Sequence, residues 1–218
     1  DTNLVPNVNI FPYNVGVQTL TVTPATGQTG TATITITVSD GVNTASTSFL
    51  FTVTPPGPTT VVFNNASSIG ISNNGSALPY PSEIIVAGMA GNITNLVVTL
   101  HELSHPWPGN VSMLLVGPNG TKSLIFSGVA WGPFPATNVT VTLADGAEFP
   151  LPSGSALLPG TYRPSSFNSP RVPPSGSDLP SPAPAGPYAT PVLSVFTNSP
   201  NGTWQLYVYD PYGGGPFS

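Results

Sequence analysis

Thr31-Ala-Thr-Ile-Thr-Ile-Thr-Val38, then Ser39-Asp40-Gly41, then Thr44-Ala-Ser-Thr-Ser-Phe-Leu-Phe-Thr-Val53, is the stretch on which the fold turns. Its period is two: Ala32, Ile34, Ile36 and Val38 share one face and threonines the other, as a half-buried strand requires. Asp40-Gly41 supplies the reversal, because Asp and Gly tolerate a positive φ. The return segment sets Ala45, Phe49, Phe51 and Val53 inward. The spacing therefore predicts an antiparallel hairpin with one apolar face and one wet, hydroxyl-coated face. Upstream, residues 18–23 alternate in the same way, with Leu20 and Val22 inward, until Pro24 breaks the run.

Downstream, the stretch 54–60 (Thr-Pro-Pro-Gly-Pro-Thr-Thr) reads as a semi-rigid extended linker. Beyond it lie strand candidates at 84–86, 96–100, 111–116, 123–126, 139–143 and 204–209, with Pro118-Asn119-Gly120 as a turn. Many short strands separated by turn signals predict a sandwich or jelly roll. The expectation is an all-β chain of two modules, 1–54 and 61–218, joined by 55–60.

Only 5% of the 218 residues are charged, against about 25% in an ordinary soluble domain. Lys122, Arg163 and Arg171 are the only bases, and a net charge of −5 argues against a nucleic-acid partner. The 23 glycines and 28 prolines would suit a disordered chain, but the periodic apolar segments contradict that for most of its length. Cysteine is absent, so no disulfide framework operates. No apolar run reaches 18 residues, which predicts no transmembrane helix. Asp1 reads as a mature or excised start. Seven N-x-S/T sequons begin at Asn65, Asn74, Asn92, Asn110, Asn119, Asn138 and Asn201, and matter only if the source glycosylates there.

Both histidines of the chain lie in His101-Glu-Leu-Ser-His105, a match to the zinc-protease signature H-E-x-x-H. That signature needs a helix, which brings residues four apart to within about 6 Å along the axis, so that both imidazoles reach one zinc. The flanks specify a strand instead. Residues 95–100 are β-branched and aliphatic, and Pro106 and Pro108 remove helical N–H donors. On a strand the two histidines share a face but stand about 13 Å apart, too far for two zinc–nitrogen bonds. The segment is expected to be non-catalytic, and no nucleophile elbow occurs elsewhere.

Two family resemblances follow from particular residues. The run from Leu20 to Gly41 (LTVTPATGQTGTATITITVSDG) is similar to the tandem Ig-like, cadherin-like repeats of large bacterial surface and secreted proteins. Such modules span about 100 residues, so the first strands of a partial Ig-like β-sandwich are expected to be missing. The second module resembles the P domain that follows the catalytic domain of subtilisin-like proprotein convertases. The resemblance rests on His105-Pro-Trp-Pro-Gly-Asn110 with 111–121 (VSMLLVGPNGT), Gly160-Thr-Tyr-Arg-Pro164, Ser199-Pro-Asn-Gly-Thr-Trp204 and Val208-Tyr-Asp210, and covers about residues 80–218. It implies a P-domain-like jelly-roll β-sandwich in which His105 opens a strand-to-loop segment. Two features depart from the pattern: Asn110 stands where the family has an acid, and 165–191 hold a Pro/Ser-rich insertion expected to be an extended surface loop. The last strand of the family pattern, past Asp210, is expected to be absent.

The resemblance also implies a calcium ion, with Asn110, Asp145 and Asp210 at the family's acidic positions. Ordinary turn roles compete with that assignment. Arg163 is expected to clamp a carboxylate or loop carbonyls, and Tyr162, Trp204 and His105 to serve structure. Trp107 and Trp131 are candidate platforms for glycans, with packing as the alternative; Lys122 is a weak candidate for an isopeptide bond. The chain is expected to be a structural or adhesive piece of a bacterial extracellular surface protein. It is expected to self-associate, or to contact neighbouring domains of one polypeptide, with open sheet edges taking strands from neighbours into a filament or array. The alternatives are an accessory domain of a secreted subtilisin-like protease and a glycan-binding module.

Overall fold

The computed structural model describes residues 2–6, 10–13, 19–54, 57, 59–167, 179–188 and 191–212, apart from the side chains of 10–13 and 19. Helix is nearly absent, and strands build two compact units, Asp1–Thr60 and Val61–Ser218. The linker prolines Pro55, Pro56 and Pro58, and the chain past 212 where a last strand was expected to be missing, lie outside the described residues.

In the first unit, β1 (Ile10–Tyr13) pairs antiparallel with β2 (Thr19–Val22), and β3 (Gly30–Ser39) with β4 (Thr44–Val53). The hairpin runs without a bulge through ten pairs, from Gly30↔Val53 to Ser39↔Thr44. Gly41 takes φ +91° in the turn, and Asp40 Oδ1 accepts the N–H groups of Val42 and Asn43 at 2.9 and 2.6 Å. Those amides, Asn43 first, hold the Asp40 carboxyl below its ordinary value. On the wet face, Thr35 and Thr37 share hydroxyl hydrogen bonds with Ser48 and Ser46, both at 2.8 Å.

The apolar face is covered only at its root. Ala32 and Ile34 are buried with Leu4 and Val5, and Leu20, Val22, Phe51 and Val53 pack around them. Val38 is 62% exposed and Phe49 41%, and Ala45 is exposed too, although the alternation sets all three inward. The covering side chains seat on β3 at Ala32 and Ile34, so the turn end at Val38 and Ala45, and Phe49 opposite Ile34, stay open to solvent.

The second unit holds two sheets around one core. In chain order its strands are β5 (Gly75–Ser76), β6 (Ser82–Val86), β7 (Val98–His105), β8 (Ser112–Val116), β9 (Lys122–Ser127), β10 (Ala136–Leu143), β11 (Gly160–Tyr162), β12 (Ser165–Ser166) and β13 (Gly202–Asp210). The larger sheet is ordered β12-β9-β8-β13-β5, and β6 also pairs with β13. The smaller is β11-β10-β7. Leu103, Val141 and Leu143 from the smaller sheet meet Met113, Phe126 and Trp204 from the larger in the shared core.

Strand β8 is buried on both faces, which explains its unbroken apolar run. Met113 and Leu115 enter the core between the sheets, whereas Leu114 and Val116 point to an outer cluster with Leu124 and Tyr207. Leu179 and Tyr188 complete that cluster. Part of the Pro/Ser-rich insertion is therefore a lid over the larger sheet and not a free surface loop; 168–178 and 189–190 lie outside the described residues. Lys122 fixes this lid by donating from Nζ to the Ala185 carbonyl, 5.8 Å from the centre of the Tyr188 ring.

Candidate functional site

The His101–His105 segment forms the second half of β7, antiparallel to β10. Two bulges compensate one another there. Thr140 of β10 faces both His101 and Glu102, and Thr137 and Asn138 face Ser104 alone. Glu102 and Asn138 take φ +55° and +53°, the left-handed geometry that lets an extra residue enter an antiparallel pair. An odd insertion reverses which face each later side chain takes. His101 is accordingly exposed and His105 buried, so the expectation that both share a face is corrected.

His105 lies in the smaller sheet and Asp210 ends β13 of the larger one, and the two side chains meet inside the unit. Their Nε2 and Oδ2 are 3.3 Å apart, and both side chains are about 2% exposed or less. His105 Nδ1 accepts the Trp107 N–H at 3.2 Å, which leaves the ring proton of a neutral imidazole to Nε2. Asp210 Oδ1 accepts the Tyr212 N–H at 2.8 Å. Neither Nε2 nor Oδ2 has a hydrogen-bond partner among the described residues, so their contact is one of charge at close range. Each group thus offsets the desolvation of the other, and the pair ties one sheet to the other.

Of the three residues expected to bind calcium, Asp145 lies far from Asp210. Asp210 sits beside His105, which pairs with Ala136 at one end of β10, and Asp145 follows Leu143 at its other end. Seven strand residues put about 23 Å between those ends. Asp145 accepts the Leu193 and Ser194 N–H groups at 2.8 and 2.7 Å, one on each oxygen. Both carboxylates are occupied by N–H donors or an imidazole, whereas calcium requires six to eight oxygens. No group of three or more His, Cys, Asp or Glu residues is placed to hold a metal among the described residues. Asn110 is buried in a short 3-10 turn, Pro108–Asn110, that follows β7.

Arg163 Nη1 donates to the Ala147 and Glu148 carbonyls, both at 2.9 Å. The Tyr162 hydroxyl donates to the Leu158 carbonyl at 3.1 Å. Trp204 donates from Nε1 to the Pro200 carbonyl and lies 5.1 Å from the Phe196 ring. Trp131 is stacked so closely on Gly109 that a Cβ there would stand 3.0 Å from its ring. Trp107, like Trp131, is half-buried.

Sequence reasoning missed Tyr80 and Tyr188. Tyr80 meets Tyr207 edge-on at 5.1 Å and donates to the Pro180 carbonyl at 3.0 Å; the Tyr188 hydroxyl accepts the Leu179 N–H at 2.8 Å. Burial pushes the Tyr80 phenol well above its ordinary value, with a contribution from nearby Tyr188. Only the density of tyrosines near prolines hinted at either. Compared with protein-family models, curated proteins and solved structures, the chain matches none.

Proposed function

We propose that the chain is a structural or adhesive module of a bacterial extracellular protein that self-associates through its sheets into a filament or surface array. In this reading an Ig-like half-sandwich precedes a P-domain-like jelly roll, and neighbouring copies complete the sheets. The observation that carries it is the β3–β4 hairpin, whose apolar row runs past its own core into solvent at Val38 and Phe49. Between residues 19 and 60 Asp40 is the only charge, so little repulsion opposes the approach of a second copy. The doubly covered sheet of the second unit suits a load-bearing role. Electron microscopy of the concentrated chain tests the proposal. Strands or ordered arrays are expected, and isolated particles at every concentration would overturn it.

A further inference from the structure

Sheet edges attract foreign strands unless something blunts them. In the second unit each outer strand carries such a device. Strands β5, β11 and β12 span two, three and two residues. Strand β7 is broken by its bulge, with the exposed charge of Glu102 in it. Strand β6 carries Glu83, whose carbonyl accepts the Asn65 Nδ2 at 3.1 Å. The β3–β4 hairpin has none of these: it is ten residues long on both sides, free of bulges, proline and charge. Neither of its outer edges is paired among the described residues. Of the two, β4 is the more open. Every residue from Thr44 to Leu50 is exposed, including Leu50 at 65%, whereas β3 buries Ala32 and Ile34.

We infer that the β4 edge is the contact through which two copies of this chain associate, by antiparallel pairing of β4 with β4 about a two-fold axis. The inference rests on the self-association proposed above and names its site. A strand edge presents N–H and C=O groups that only another strand satisfies along its whole length. The requirement that apolar side chains stay on one face restricts the register to steps of two residues, and the one centred on Phe49 overlaps nine residues of each β4. Setting Phe49 opposite Phe49 of the second copy places Ala45 opposite Val53 and Thr47 opposite Phe51. A slip of one residue would set the apolar row of one copy beside the hydroxyl row of the other. The two Asp40 carboxylates, each level with Asn43 of its hairpin, then lie at opposite ends about 40 Å apart and do not repel. A four-stranded sheet results, with β3 of each copy as its outer edge.

The contact is small. A 33 Å edge on a sheet about 10 Å thick covers on the order of 300 Å² per partner, well under the roughly 800 Å² of a standard interface. Association is therefore weak and concentration-dependent. The test uses the absence of native cysteine. Residues facing themselves across an antiparallel pair have Cα atoms about 4.5–5.5 Å apart, within reach of a disulfide. Under mild oxidation the intact chain carrying Phe49→Cys should become a covalent dimer, while Thr35→Cys, on β3, should not. Phe49→Lys should raise the concentration for association by more than about tenfold, and Val42→Lys, in the exposed turn, should not. If the chain associates but Phe49→Lys leaves that unchanged and Phe49→Cys cross-links no better than Thr35→Cys, the β4 contact is refuted and self-association survives. A chain monomeric throughout refutes both.

Discussion

Asp210→Ala removes the carboxylate 3.3 Å from His105 Nε2 and leaves a buried imidazole without its charged neighbour. It also removes the carboxylate acceptor of the Tyr212 N–H. Breaking a buried pair by deleting one partner costs about 3–5 kcal/mol, a large part of the 5–15 kcal/mol that holds a domain folded. At about 2–4 °C per kcal/mol for a unit of this size, the midpoint should fall by about 6–20 °C. The assay is thermal and urea unfolding followed by tryptophan fluorescence. His105→Leu combined with Asp210→Leu removes both polar groups, and should cost less than Asp210→Ala alone. His101→Ala, on the exposed face of the same motif, should stay within about 0.5 kcal/mol of the parent. Adding a chelator should shift none of these midpoints. The reasoning is refuted if His101→Ala and Asp210→Ala cost the same, if the double variant costs the sum of its singles, or if chelation destabilises the chain.

Burial raises the phenol of Tyr80, and that of Tyr207, in the folded state, so their stabilisation is intact below the unfolded value of about 10 and declines as the pH rises beyond it. Tyr80→Phe should lose about 1 kcal/mol at neutral pH, with its bond to the Pro180 carbonyl, yet show a smaller alkaline loss in urea titrations at pH 8 to 11. Gly202 holds φ +127°, and a Cβ would stand 2.5 Å from Pro118 Cβ, so Gly202→Ala should cost about 2 kcal/mol or more in the same unfolding assay. Arg163→Met strips the donors from the Ala147 and Glu148 carbonyls and should lower stability by about 1 kcal/mol, discounted for its exposure.

The hairpin was legible because alternation over ten residues is a long signal: β3 and β4 lie where the period of two puts them. Its exposure was not, since Val38 and Phe49 obey the same alternation as the buried Ala32 and Ile34, and only the covering residues decide which end is wet. Strands β5, β11 and β12 are too short to show any period. The strand identity of His101–His105 followed from its flanks, but the paired bulges at Glu102 and Asn138 left no local trace, and with them went the face of each histidine. Long-range partners were the least legible. Nothing near His105 in sequence names Asp210, and nothing near Lys122 names Ala185.

Self-association is the claim on which the functional account stands, and sedimentation equilibrium of the intact chain over rising concentration tests it most directly. The account predicts a mass that climbs from 22.3 kDa through the dimer towards larger species. A mass fixed at that of one chain, up to the highest concentration that stays in solution, would contradict it.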